Sequence, residues 1–303
     1  MDRFRQLQVY VAVVEEEGFA AAGRRLQMSP PAVTRMISAL ETSLGVKLLD
    51  RTTRSVRVTE AGRRYLTDAR QILASLESAN DAAAGINAEP RGHLSVTAPA
   101  IFGRMHVTPG IVKFLDRYPE MNIEAVFLDR MVNLVDEGID VGVRIGALPD
   151  SNLRAIKVGE VSSVVVAAPV YLDSVDDIET PQHLRSHSLT TSSAGNFSTG
   201  WKFSHKAGDF PLRVQPRFTT TTNDAAIEAT VLGFGITRVL FYQVADLIAS
   251  KKLRIILREF EPAPLPINII HREGRYGSVR VRAFIDLLAE QLRNDPAISG
   301  LAS

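Results

Sequence analysis

The sequence predicts an α/β chain in three parts: an N-terminal winged helix-turn-helix, a long linker helix, and a larger α/β domain of two lobes. Three observations predict it. Within residues 1–59, apolar residues recur at helical spacing in three short runs and then alternate through a basic hairpin. From Glu60 to about Asn87 no proline interrupts the chain. Beyond Gly92, short apolar strands alternate with helical patterns as far as residue 296.

The bulk numbers fit such a plan. At 303 residues the chain exceeds one domain of roughly 100–200 residues, and 45% hydrophobic with 23% charged residues is a globular composition. Cysteine is absent, which excludes disulfides, a thiolate nucleophile and Cys-based metal sites. The opening MDRFRQLQVYVAVVEEEGF meets a Glu triplet after a few apolar residues. It fits neither a secretory h-region nor a membrane span, so a cytoplasmic protein with no membrane partner is expected. The net charge of +1 hides an asymmetry: residues 1–64 carry eleven Lys or Arg against seven Asp or Glu, +4, and the remainder −3. The two ends should therefore meet differently charged partners.

Taken in order, Phe4, Leu7, Val11 and Val14 form the inner stripe of a first helix, and Phe19, Ala22 and Leu26 that of a second. Ser29 is placed to cap a third, with Pro30 at its first position, where a missing N–H costs nothing. Val33, Ile37, Leu40 and Leu44 form its buried face, leaving Thr34, Arg35 and Ser38 outward. An ordinary three-helix unit shares this periodicity, but here a hairpin follows. Leu48-Leu49-Asp50-Arg51 and Val56-Arg57-Val58-Thr59 read as strands around the turn 52–55, placing Arg51, Arg54 and Arg57 along a wing. Positive charge there suits the phosphate backbone or minor groove of double-stranded DNA, and an Arg at a recognition helix suits guanine O6 and N7.

Residues 21–62, AAGRRLQMSPPAVTRMISALETSLGVKLLDRTTRSVRVTEAG, resemble the signature segment of LysR-type transcriptional regulators. The resemblance implies that the helix beginning at Ser29 is the recognition helix. Ser29, Pro30, Pro31, Thr34 and Arg35 then inherit DNA contact, with Arg51 and Arg54 from the wing. Many members have Gln where this chain has Pro30, so a polar base contact from that position is lost.

Residues 60–88 read as a linker helix on the order of 40 Å long, with Thr59 as N-cap. Leu66, Ala69, Leu73, Leu76, Asn80 and Ala83 alternate by three and four, the spacing of a coiled-coil seam. Asn80 either restricts the register of that seam or is simply exposed. The resemblance implies pairing with a second copy into a dimer and commonly a tetramer.

Past the hinge at Glu89-Pro90-Arg91-Gly92, strands at 94–97, 123–127 and 141–144, with helices around 111–118 and 132–137, imply βαβ units and a largely parallel sheet. A second set follows: strands 161–168, 188–191 and 235–238 with a helix at 224–232, then a closing strand 267–270 and helix 279–293. Two such lobes resemble the same family's effector domain, itself similar to periplasmic solute-binding proteins. In that plan 92–163 plus 267–296 form the first lobe and 164–266 the second. Ligands in open α/β sheets bind outside the carboxyl ends of strands. Those ends nominate Ala98, Pro99, Ala100 and Phe102, then Arg144, Ile145 and Gly146, with Thr222 and Asn223 at a helix N-terminus and Gly235 and Ile236 from the second lobe. A helix N-terminus favours an anion, and Arg144 or Arg104 suits a carboxylate, so a small organic acid or aromatic effector is expected. Arg144 has a structural alternative, an ion pair with Asp140 or Asp129.

No catalytic constellation competes. None of the six His residues shows H-E-x-x-H spacing, G-x-S-x-G is missing, and Gly233-Phe234-Gly235 precedes a strand instead of following one. No cofactor or metal is expected. A solute-binding receptor or an enzyme of the same two-lobed fold would leave the basic N-terminal module without a purpose.

Overall fold

The computed structural model describes residues 2–51, 56–84, 89–130, 132–148, 153–193, 200–205, 208–272 and 278–298. They divide into two compact units, one built mainly from Met1–Glu89 and the other from Pro90–Val132, Ile139–Glu273 and Arg280–Ser303. Among the described residues, no helix is long and apolar enough to cross a membrane.

In the first unit, helices α1 (Arg3–Glu15), α2 (Phe19–Arg25) and α3 (Pro30–Leu44) precede the antiparallel strands β1 (Leu49–Arg51) and β2 (Val56–Val58) and helix α4 (Glu60–Ala84). The predicted stripe of α1 is corrected. Phe4 is 45% exposed, and the buried residues are Gln6, Leu7, Val9, Tyr10, Ala12 and Val13. A single stripe underestimates α1 because the helix packs on α2, α3 and α4 together. Val33, Ile37 and Leu40 of α3 are fully buried, as the period requires.

The start of α4 is clamped to the wing. Thr59 Oγ1 accepts from Gly62 N at 2.9 Å and donates to Lys47 O at 2.8 Å, while Tyr10 Oη donates to Gly62 O at 2.8 Å. A Cβ on Gly62 would stand 2.2 Å from Leu48 O, so only glycine permits this approach. Along α4, Leu66, Ala69 and Leu73 join the core of their own chain, whereas Ile72, Leu76 and Asn80 stay exposed. The predicted seam is thus split, its first half being occupied within the subunit. The side chain of Ala83 lies outside the described residues.

The second unit contains both lobes. Lobe I uses β3 (Gly92–Ala98), the short α5 (Ala100–Phe102), a π-turn at Gly103–Val107, α6 (Thr108–Arg117), β4 (Met121–Phe127), β5 (Val141–Ile145) and β6 (Leu153–Val161). Lobe II follows with β7 (Ser163–Ala167), α7 (Pro169–Leu172), β8 (Leu189–Ser192), the hairpin β9 (Gly200–His205) and β10 (Gly208–Arg213), and β11 (Phe218–Thr220). It continues through α8 (Asn223–Val231), β12 (Ile236–Leu240), α9 (Ala245–Ala249) and β13 (Arg254–Ile256). Then β14 (Leu265–Arg272) returns to lobe I, and α10 (Val279–Arg293) packs there.

The two five-stranded sheets run β4-β3-β5-β14-β6 and β11-β8-β12-β7-β13. Both are mixed, correcting the largely parallel expectation. Four strands of each run in one direction and the fifth is reversed: β14 is antiparallel to β5 and β6, and β7 is antiparallel to β12 and β13. The reversed strand of each sheet, β7 in lobe II and β14 in lobe I, is the one by which the chain enters that lobe from the other. Residues 134–138 form turns, not a helix: Asn133 Oδ1 accepts from Val135 N at 3.0 Å and Gly138 takes φ +69°.

Candidate functional site

The recognition-helix candidates lie together at the N-terminal end of α3. Ser29, Pro30, Pro31 and Arg35 are exposed, with Thr34 and Ser38 half-buried. Ser29 has the extended backbone of an N-cap (φ −71°, ψ 143°), but its hydroxyl does not cap the helix, so it stays available at the surface. Arg35 makes no ion pair or hydrogen bond with a described residue, unlike Arg25, which is spent on Glu15 at 2.8 Å and Glu16 at 3.2 Å. In the wing, Arg57 is exposed and stands across the ladder from Asp50, which offsets its charge. Arg54 and the side chain of Arg51 lie outside the described residues.

What holds this face in shape was missed by sequence reasoning. Glu41, near the end of α3, has a side chain only 2% exposed. Its Oε1 accepts from Leu48 N at 2.9 Å and Leu49 N at 3.1 Å, and its Oε2 meets Lys47 Nζ at 2.8 Å. Burial pushes the carboxyl up, but Lys47 and the two N–H donors outweigh it and hold the group below its ordinary 4.5. The carboxylate thereby fixes the first strand of the hairpin to α3. Its only sequence signal was a charge beside Leu40 on the buried arc.

The carboxyl ends of the parallel strands define the cleft candidates in the second unit. In lobe I they are reached at Ala98, Phe127 and Ile145, and in lobe II at Ser192, Thr220 and Leu240. Pro99 and Ala100 follow β3 and are half-buried. The N–H of Ala100 already donates to Asp129 Oδ1 at 3.0 Å, so a protein carboxylate occupies that short helix start. Thr222 is the N-cap of α8, with Asn223 its first residue. Asp224 there is held below the ordinary carboxylate value by Thr222 first, against a smaller effect of burial, with the charge of Arg104 contributing across the lobes.

Several nominated residues sit elsewhere. Gly235 and Ile236 lie at the amino end of β12, Ile236 pairing with Leu189 at the start of β8, and so at the opposite edge of the sheet from Ser192. A Cβ on Gly235 would stand 2.0 Å from Ser188 O, and Ile236 is fully buried; both are packing positions. Phe102 is also fully buried, tilted on His106 at 4.8 Å and edge-on to Tyr242 at 5.2 Å. His106 in turn meets Asp295 Oδ2 at 2.8 Å, which anchors this aromatic cluster to the end of α10. Ala98 is wholly buried, while Ile145 and Gly146 end β5 at the cleft side. Arg144 donates to Val143 O at 3.0 Å and Val132 O at 3.4 Å. Asp140 meanwhile accepts from Ser95 N at 2.9 Å. Arg104 is exposed, and its charge reaches Asp224 at the start of α8.

Residues 4–63 match the family described as bacterial regulatory helix-turn-helix protein, lysR family, and residues 87–293 match the LysR substrate binding domain. The chain is 31% identical over 292 residues to the HTH-type transcriptional regulator CrgA of Neisseria meningitidis serogroup B, covering 96% of this chain and 97% of that one. It is 30% identical over 290 residues to the HTH-type transcriptional activator AaeR of Escherichia coli K12, covering 96% and 94%. The solved structure of CrgA, a LysR-type transcriptional regulator from Neisseria meningitidis, is similar over 97% of this chain and 100% of that one, with TM-score 0.62 and 30% identity. The chain belongs to the LysR family of bacterial transcriptional regulators, DNA-binding proteins whose second domain responds to a small molecule.

Proposed function

We propose that this chain reads its operator with the exposed end of α3 and changes its grip when a small organic acid enters between the lobes. The observation that carries the first half is Arg35, exposed and uncommitted at the start of a helix whose opposite face is fully buried. Pro30, Pro31 and Ser29 then press on base edges and backbone, and Arg51 and Arg54 of the wing meet phosphates.

For the effector, Arg104 takes the carboxylate-pairing role in place of Arg144, which is already committed to backbone carbonyls. The acid lies against Pro99, Ala100, Ile145 and Gly146 of lobe I, facing Thr222 and Asn223 of lobe II. An acid that binds one arrangement of the lobes better shifts the population towards it, and DNA affinity follows by linkage.

The purified protein titrated on its own upstream intergenic DNA and on a scrambled control, at two salt concentrations, tests this directly. Preferential binding that weakens with salt is expected. Benzoate or succinate should then shift the operator affinity about fivefold or more, a usual size for such coupling. Arg104→Gln should cancel that shift and leave acid-free binding intact. Equal affinity for both DNAs would contradict the reading.

Self-association is assigned to the outer face of α4, where Ile72 is 44% and Leu76 36% exposed. Two such helices pair into a dimer, and two dimers make a tetramer. Leu76→Glu is expected to convert the dimer to monomer in sedimentation equilibrium and to weaken operator binding; an unchanged mass would place the interface elsewhere.

A further inference from the structure

We propose a second anion site on lobe II, at the edge strand β13, for a small organic dianion with an apolar body. A cavity of about 440 Å³ opens there, large enough for a metabolite. Its floor is Leu253, Ile255 and Ile248, and its rim carries Lys251, Arg254 and Arg258. Among the described residues, none that lines it is acidic. Among the described residues, Lys251 and Arg254 make no ion pair. Arg258 faces Glu261 of the neighbouring crevice, whose carboxyl burial raises against the pull of Arg258 and Arg238.

The cavity is separate from the effector cleft. Arg254 pairs with Ala167, which pairs with Ile236 at the amino end of β12, so this rim lies at the edge of the sheet opposite Ser192. Two residues of this rim and its approach take left-handed backbone. Lys251 takes φ +59° just past α9, its N–H bonded to Ile248 O at 2.9 Å, and Leu257 takes φ +57° immediately before Arg258. Neither is glycine, so both turns carry a conformational cost that solvent-facing lysine or arginine alone does not require. Three cations over an apolar floor match a ligand with two negative charges on a hydrocarbon frame, a dicarboxylate or an organic phosphate.

Titration calorimetry of the full chain at constant ionic strength, with phthalate, phenyl phosphate and inorganic phosphate as probes, tests the assignment and separates the two sources of charge. Saturable binding is expected for phthalate, phenyl phosphate or both, with inorganic phosphate weaker because it lacks the apolar body. The double variant Lys251→Met, Arg254→Gln should weaken the binding about tenfold, as expected for losing two exposed charge contacts. Binding should persist in Arg104→Gln. The single variant Arg258→Gln gives a second reading should the double variant melt below the parent. Binding that vanishes in Arg104→Gln, or is indifferent to the rim variants, or is as strong for inorganic phosphate, would overturn the site, as would no binding at all.

Discussion

Arg35→Ala is expected to lower operator affinity about tenfold to a hundredfold, the discrimination carried by one bidentate arginine–base contact. The loss should be smaller on scrambled DNA, because the side chain reads a base more than it neutralises the backbone. Arg57→Ala is the control. Its guanidinium is exposed in the wing opposite Asp50, so its loss should weaken all sequences alike and only modestly. Competition binding against operator and random duplex measures both. Equal proportional losses on both DNAs for Arg35→Ala would show that α3 does not present this residue to the bases. No fold change should accompany the substitution, since Arg35 has no described partner within the protein.

Glu41→Ala is expected to destabilise the first unit by about 2–5 kcal/mol, because it strands two buried N–H groups, those of Leu48 and Leu49. Lys47→Ala, by contrast, should cost no more than about 1 kcal/mol, as Lys47 is 72% exposed and its partner keeps both backbone donors. The pH dependence has a definite sign. The folded carboxyl lies below its ordinary 4.5, so its contribution is present above that value and is lost as pH falls through the folded one. Acid should therefore lower the parent's midpoint more than that of Glu41→Gln, which has no charge to lose. Urea denaturation followed by helical circular dichroism reads all three variants. A midpoint for Glu41→Ala equal to the parent's would mean that the wing is held without the carboxylate. Operator binding should fall along with stability, since the same contacts join β1 to α3, the helix proposed to read the operator.

The candidate DNA face was legible because it depends on local pattern. Val33, Ile37 and Leu40 recur at helical spacing, and burying them turns Arg35 outward whatever the remainder of the chain does. The hairpin was legible for the same reason, since Leu49 and Val58 alternate with Asp50 and Arg57. Burial of α1 was misread because three neighbours enclose it, and one stripe cannot report three contacts. Among the cleft candidates, Pro99 and Ala100 stand just past a strand end and Thr222 at a helix start, positions that local pattern reports. Gly235 and Ile236 did not, because which edge of a sheet a residue occupies depends on the direction of its strand relative to the others.

By itself the sequence determined the order of the parts: three helices and a basic hairpin, a long helix without proline, and two sets of α/β elements. Spacing of apolar side chains fixes such things over ten or twenty residues, and no distant partner is needed. Tertiary structure alone decided the pairings across the chain. It buried Glu41 under Leu48 and Leu49, sealed Phe102 between His106 and Tyr242, committed Arg144 to backbone carbonyls, and left Arg104 exposed. Whether a charge is available to a ligand depends on which donors and acceptors surround it in space. Residues far apart in sequence supply those, and no local pattern encodes them.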